Sequence, residues 1–425
     1  MTPQPALALD QIDLSDFEFW ARPLAEREAA FETLRRERPL AFFEEPDLSE
    51  VGVERGPGYY AVTKYADIVE ISRQPELFCS GRGATSIPDM PEYMLDYFGS
   101  MINMDDPRHA RLRKIVSGAF TPRMLRKVED DVQRIASEIV KDVRNEGGGD
   151  FVAQVAAKLP LQVICDMMGI PPSEYETVFS RSNIILGNGD PEYVPQGDPM
   201  GAITALLTAG SDLHNLVSEL GRHRRQHPTD DLTSALVNAD VDGEQLTDAE
   251  LGSFFILLVV AGNETTRNAI AHGLDLLTQH PDQYRVWQAD FESVASTAVE
   301  EIVRVASPVV YMRRTATRDT VLRGQQVSEG SKMILFYWSA NRDDEVFADP
   351  FRFDVRRTPN DHVGFGGPGP HFCLGAHLAR REITVMFREL FANLPGFRAT
   401  GEPERLRSSF INGIKHLAFE VAAVA

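Results

Sequence analysis

Gly364-Phe365-Gly366-Gly367-Pro368-Gly369-Pro370-His371-Phe372-Cys373-Leu374-Gly375 is the stretch from which the rest of the chain can be read. Glycine at this density, with two prolines, is incompatible with a helix or a central strand. It imposes a tight, pre-shaped loop. The next residues, Ala376 to Glu382, read as a helix, so Cys373 lies at or just before a helix N-terminus. Unpaired backbone N–H groups and the positive end of the helix dipole favour a thiolate there. Gly375 removes a side chain where a flat partner would approach the backbone, and Phe365 offers an aromatic wall. A single cysteine held this way suits one axial thiolate on a haem iron. The plainer alternative is an inert buried cysteine beside a glycine turn.

Moving outward, Phe254 to Ala261 is apolar on every face, which describes a helix buried on all sides. Directly after it come Gly262-Asn263-Glu264-Thr265-Thr266. An acid and hydroxyls inside such a helix are costly unless they serve something. Gly262 weakens the helix and threonine hydroxyls compete for its carbonyls, so a bulge or kink that opens a groove is expected. The functional reading is an acid–alcohol pair, Glu264 with Thr265 or Thr266, over the distal face of a haem; the plainer alternative is that Glu264 and Thr265 begin the exposed end of the helix. Thr265 would hold water by hydrogen bonds and Glu264 would carry protons inward from solvent.

Asp105-Asp106-Pro107 is a helix start, with Asp106 as N-cap and Pro107 at the first helical position. His109 and Arg113 on that helix share one face. Glu301 and Arg304 share a face of a later helix, which Ser307-Pro308 ends. Val309 to Thr315 reads as a strand, with Arg313 and Arg314 on opposite faces.

The 425 residues are 43% hydrophobic, ordinary for a globular enzyme with a core large enough to enclose a cofactor. A formal net charge of −20 argues against nucleic acid and against an anionic membrane surface as partners. The cysteines, Cys79, Cys165 and Cys373, include no CxxC pair. That disfavours a disulfide framework or a zinc site and points to a reducing, cytoplasmic compartment. Residues 1–10 lack a basic, apolar leader pattern, and no apolar run reaches the ~20 residues of an integral membrane segment. No internal repeat, linker, or flavin or nicotinamide fingerprint is present.

Four separated blocks together resemble the cytochrome P450 monooxygenases. They are Asp105-Asp106-Pro107-Arg108-His109, Ala261 to Thr266, Glu301-Ile302-Val303-Arg304, and the cysteine loop, whose glycine-rich form is one residue longer than in many members. The resemblance implies a mainly α fold with small β-sheets. Haem would lie between a long buried distal helix and the proximal cysteine loop and helix. One domain would span 1–425, with a β-rich part at about 40–80 and 310–340 and a helical core at about 105–305 and 373–395. It implies haem b and O2, with Cys373 on the iron and Ala261, Phe365, His371 and Gly375 against the macrocycle. His109, Arg113 and Arg314 would meet the propionates. Glu301 and Arg304 would form a structural core whose third member is Arg352 or Arg357.

At finer grain, Tyr97 to Ile102, Cys165 to Pro171, Phe254 to Ile270 and Ala306 to Thr315 are similar to mycobacterial-type methyl-branched lipid ω-hydroxylases. Asn412-Gly413-Ile414-Lys415-His416 is similar to steroid side-chain hydroxylases. The implied reaction is terminal hydroxylation of a methyl-branched lipid, with a sterol side chain or terpenoid as the alternative substrate. Met101, Ile102, Ile185, Leu258, Val309, Val310, Met312, Phe410 and Ile411 are the candidate pocket residues. Electrons would come from a separate ferredoxin and ferredoxin reductase to a monomeric enzyme, docking on Arg108, Arg111, Lys114, Arg126, Lys127, His377, Arg380 and Arg381. A haem-thiolate sensor or electron carrier would not need Glu264 and Thr265, and a peroxide-driven hydroxylase usually lacks them.

Overall fold

The computed structural model describes residues 8–422 except 50–52, 188, 195–197 and 241–242. Helices dominate and small sheets lie to one side, the fold class expected. Among the described residues, α1 (Arg108–Ala119), α4 (Asp248–Gln279), α5 (Phe291–Ala306) and α6 (Ala376–Asn393) contribute side chains to the site, while α2 (Tyr175–Leu186) and α3 (Pro199–Gln226) pack against α4.

The long helix α4 starts at a capping box. Thr247 Oγ1 accepts the Glu250 N–H at 3.1 Å and the Glu250 carboxylate accepts the Thr247 N–H at 2.9 Å. It then runs unbroken for 32 residues, so the bulge expected at Gly262 is absent. Two local facts explain this. Thr265 Oγ1 donates to the Ala261 carbonyl at 2.6 Å, a bond made inside the helix rather than in place of it. A Cβ on Gly262 would meet Ile164 Cδ1 at 2.8 Å, so the glycine admits a neighbouring side chain instead of breaking the helix.

Helix α1 begins one residue later than expected, with Pro107 at the capping position. Asp106 Oδ1 accepts the Ala110 N–H at 3.0 Å, while Asp105 accepts the N–H groups of Ser80 and Gly81 at 2.7 and 2.8 Å. Asp105 thus ties the helix start to the strand end before it.

The principal sheet contains β1 (Leu40–Phe43), β2 (Tyr59–Val62), β3 (Phe78–Cys79), β4 (Met312–Ala316) and β5 (Lys332–Leu335), in the order β1-β2-β5-β4-β3. Only β2 and β5 pair in parallel. On β4, Arg314 lies opposite Met333. Arg313 instead reaches Asp89 Oδ1 at 2.7 Å. A large apolar cluster fills the space between the helices and two smaller ones pack about the sheet.

The hub beneath the cysteine loop centres on Glu301, fully buried on α5. It accepts from Arg304 Nε and Nη2, both at 2.8 Å, from Arg357 Nε at 3.1 Å to each oxygen, and from Asn360 at 3.1 Å. Arg357, not Arg352, therefore completes the network. The Arg352 side chain is 63% exposed and, among the described residues, pairs with Asp354 at 3.8 Å rather than with Glu301. Its backbone carbonyl is what joins, accepting from Arg304 at 3.3 Å and Arg357 at 2.8 Å. The hub extends to the loop through Asn341, whose carbonyl accepts from Arg304 and whose side chain accepts the Val363 N–H, both at 2.8 Å.

Candidate active site

The cysteine loop is held from both ends. The Cys373 N–H donates to the Phe365 carbonyl at 3.0 Å, and Gly366 turns the chain with φ +90°. A Cβ on Gly369 would collide with the Ser72 carbonyl, so this glycine permits a close approach to the helix Tyr65–Ser72. Arg380 on α6 lies over the Phe365 ring, 4.3 Å from its centroid, and pairs with Glu300 at 2.5 and 2.9 Å. Burial alone would raise the Glu300 carboxyl, yet the bonds from His362 and Arg380 bring it down to about 2.

Above the loop opens a cavity of about 400 Å³. Cys373, Gly375 and Phe365 lie on one wall, and His109, Arg113, Arg314 and His371 on its rim. Ala261 and Thr265 face it from α4, with Met101, Ile102, Leu258, Val309 and Met312 completing the apolar side. The surface of Cys373 is open, but only into this cavity, deep within the molecule. Burial therefore pushes its thiol up, against the pull of the Gly375 and Ala376 N–H groups and of Arg113 and Arg380.

The rim fits the two carboxylates of a haem. His109 Nε2 is buried without a hydrogen-bond partner among the described residues, and its ring lies 4.2 Å from that of His371. Burial, with the Arg314 cation close by, lowers His371 to about 2, and burial also lowers His109. Both imidazoles are therefore neutral at pH 7, each with one N–H. Arg113 spends one donor on the Phe372 carbonyl and Arg314 one on the Arg313 carbonyl, both at 2.7 Å, leaving donors for the cavity. No neighbour lies within 4 Å of where a Gly375 Cβ would sit. A flat group can lie against the backbone there.

Other expected residues lie off this wall. Glu264 is 1% exposed and turned from the cavity, ion-paired with Arg267. Val310 is buried among Tyr311, Phe336 and their neighbours at the sheet. Phe410 packs edge-on to Tyr311 at 5.3 Å, and Ile411 pairs with Val309. Ile185 packs on the main apolar cluster. These four lie behind the wall, each packed against apolar neighbours rather than against the cavity.

The expected basic face is also partly spent. Arg111 is engaged by Glu244, by Glu250 at 2.6 Å and by the Gln245 carbonyl at 2.8 Å, and Arg108 by Asp96 at 2.7 Å. One residue escaped the sequence reading. Glu382 on α6 is buried, meets Thr266 of α4, and is pushed up to about 8 by burial, the Thr266 bond opposing. The signal was available: a carboxyl at helical spacing between Leu378 and Met386, on the apolar face of α6.

The profile of the family described as "Cytochrome P450" matches residues 209–399. The chain is 49% identical over 420 residues to a Mycobacterium tuberculosis protein named "Methyl-branched lipid omega-hydroxylase", covering 98% of this chain and 96% of that one. It is 40% identical over 409 residues to a "Steroid C26-monooxygenase" of Mycolicibacterium smegmatis, covering 95% and 93%. The structure of a Mycobacterium marinum cytochrome P450, CYP268A2, in complex with pseudoionone superposes with a TM-score of 0.91 at 42% identity, covering 99% of this chain and 100% of that one.

Proposed function

The chain belongs to the cytochrome P450 family of monooxygenases, and we propose that it hydroxylates a terminal methyl group of a methyl-branched lipid or fatty acid. One observation carries this reading: a single cavity joins Cys373, the imidazole and guanidinium rim, Thr265 and an apolar wall of Met101, Ile102, Leu258, Val309 and Met312. A terminal methyl is the least reactive aliphatic carbon, so the wall must choose it by shape. The relative named for methyl-branched lipids, at 49% identity, supports the substrate class. The second reading, a sterol side chain or a terpenoid, is favoured by the steroid relative and by the structure holding pseudoionone.

Haem b, when bound through Cys373 Sγ, supplies the redox chemistry that divides O2 between the substrate and water. His109, Arg113, His371 and Arg314 would hold its propionates. The Thr265 hydroxyl donates to the Ala261 carbonyl, so toward the cavity it offers lone pairs. In this state it anchors a water by accepting its hydrogen, and orients that water's other proton inward. Glu264, the residue before Thr265 and about 100° round the helix from it, would replenish those protons. The apolar wall excludes bulk water and presents the methyl end of the chain. Electrons would arrive from a separate ferredoxin, reduced by a ferredoxin reductase, on the face beside the cysteine loop.

Spectral titration of the haem-loaded protein with branched fatty acids, sterols and terpenoids tests the substrate class. A low- to high-spin shift with branched fatty acids, and a terminal alcohol as product, is expected. A shift with sterols alone would transfer the assignment to the second reading.

A further inference from the structure

Away from the cavity, three guanidinium groups gather inside the fold around the indole of Trp338. Arg27, on the helix Leu24–Glu37, is 5% exposed. It pairs with no carboxylate among the described residues, and its Nε is buried without a hydrogen-bond partner there. Its guanidinium lies 5.9 Å from the centroid of the Trp338 ring, and that of Arg342 lies 4.7 Å from the same ring. Arg342 donates to Glu28 Oε1 at 3.1 Å and to the Trp338 and Val305 carbonyls at 3.2 and 2.8 Å. Arg405, on the strand Glu404–Arg405, reaches Asp275 Oδ2 of α4 at 3.5 Å, while its Nη1 is buried without a partner. The Trp338 indole N–H is buried and unpartnered as well. His272 on α4 adds no charge. Its Nε2 lies 2.9 Å from the Asn412 carbonyl, and burial, helped by the Arg405 cation, lowers it to about 3. None of these residues lines the haem cavity.

We propose that Arg27, Arg405 and Trp338 form a buried binding site for one halide ion, chloride in the cell, with Arg342 contributing to its field. Two carboxylates, Glu28 and Asp275, answer three guanidinium groups, so one positive charge is left over. Burial, followed by the field of Arg405, lowers Arg27 only to about 10, and burial lowers Arg342 to about 10, so both stay charged at pH 7. Burial raises the Asp275 carboxyl, which can only enlarge the excess. Glu402, a further acid that Arg405 feels, is exposed and screened by solvent. A cation taken out of water needs a counter-charge. The groups left free at this place, Arg27 Nε, Arg405 Nη1 and Trp338 Nε1, are all donors. A water among them would still have two hydrogens of its own to place, whereas a halide only accepts. The site joins the helix Leu24–Glu37, the strand Glu404–Arg405 and, through Asp275, α4. These segments come together only in the folded chain, so the ion binds that state alone and stabilises it.

Thermal melting of the haem-loaded protein at fixed ionic strength, with sodium gluconate replaced stepwise by sodium chloride, tests the ion. Tm should rise by a few degrees and level off as the site fills. No rise, or one that never levels off, overturns the proposal. In Arg27→Met the leftover charge is gone, so the saturating rise should vanish; a rise equal to that of the wild type overturns the proposal. If Arg27→Met does not fold, Arg405→Gln takes its place in the same titration, with the same two outcomes. Stabilisation by sodium phosphate with none by chloride would also overturn it, since it would call for a larger and more highly charged anion. Crystals of the haem-loaded protein grown in sodium bromide locate the site. An anomalous peak should stand against Arg27 Nε, Arg405 Nη1 and Trp338 Nε1. Density there without anomalous signal means that water satisfies these groups and the proposal fails. It fails too if the bromide peak is present but chloride gives no saturating rise in Tm, which is binding at crystal concentration only.

Discussion

Thr265 and Glu382 carry opposite lessons about single residues. Thr265 was singled out by its place after an acid in an apolar helix, and it faces the cavity. Its hydroxyl donates back to the Ala261 carbonyl within the helix, a local bond that haem binding does not need, so the proposed role as a water anchor can be tested by removing it. Thr265→Ala should keep haem uptake and the substrate-induced spin shift while lowering product per electron pair about tenfold or more, with hydrogen peroxide as the diverted product. Unchanged coupling would remove Thr265 from proton delivery. Glu382 acts on stability. Its ordinary value is 4.5 and in the folded protein it rises to about 8. The folded state therefore keeps a proton that the unfolded state releases. The stability this confers is complete below about 4.5 and is lost as pH rises toward 8, by up to about 1.4 kcal/mol per pH unit for one group. Thermal melting of Glu382→Gln between pH 5 and 8 should show a flatter pH dependence than the wild type.

Among elements, the connection between α5 and the cysteine loop is the one whose partners sequence spacing left open. Glu301 and Arg304 announced themselves by spacing on one helix. Their third partner comes from an irregular segment, where no periodicity says which of Arg352 and Arg357 turns inward. Arg357, with a side chain 10% exposed, does. Arg357→Ala should cost about 3 kcal/mol by weakening a buried charge network. Arg352→Ala, at an exposed side chain, should stay within about 0.5 kcal/mol. Denaturant midpoints of the two variants check this directly. The unbroken course of α4 belongs to the same scale. Helix-weakening residues at Gly262 and Thr265 predicted a kink, but packing along 32 residues and a bond internal to the helix outweighed local propensity.

At the scale of the molecule, the question is where a reductant would dock. Arg380 and Arg111 looked suitable as surface cations, yet one braces Glu300 and Phe365 and the other is engaged by Glu244 and Glu250. Reversing either charge would disturb the fold locally and confuse the result. Arg126 and Lys127 are exposed near the start of the helix Pro122–Glu146; the Lys127 ammonium donates to the Asp230 carbonyl at 2.9 Å, an exposed bond to backbone rather than an ion pair, so this pair serves the test better. Arg126→Glu with Lys127→Glu should lower ferredoxin-supported turnover severalfold at low salt and little at high salt, with spectral binding of substrate unchanged. Equal turnover at low salt would place the docking face elsewhere. No helix among the described residues is long and apolar enough to cross a membrane.

The sequence by itself determined the family, the mainly helical class with small sheets, and the residues whose neighbours in the chain are their functional neighbours. Cys373 between glycines, His109 with Arg113, Glu301 with Arg304, and Thr265 on its apolar helix are all of this kind, because helical and loop spacing is local and leaves a trace in composition. Tertiary structure alone decided what depends on distant partners. It chose Arg357 over Arg352, spent Arg111 and Arg380 on acids, turned Val310 and Ile411 into the core, placed Glu382 against Thr266, and set Glu264 with its back to the cavity. Side-chain direction and the balance of burial against pairing are fixed by which segments meet, and segments far apart in the chain meet only in the folded molecule.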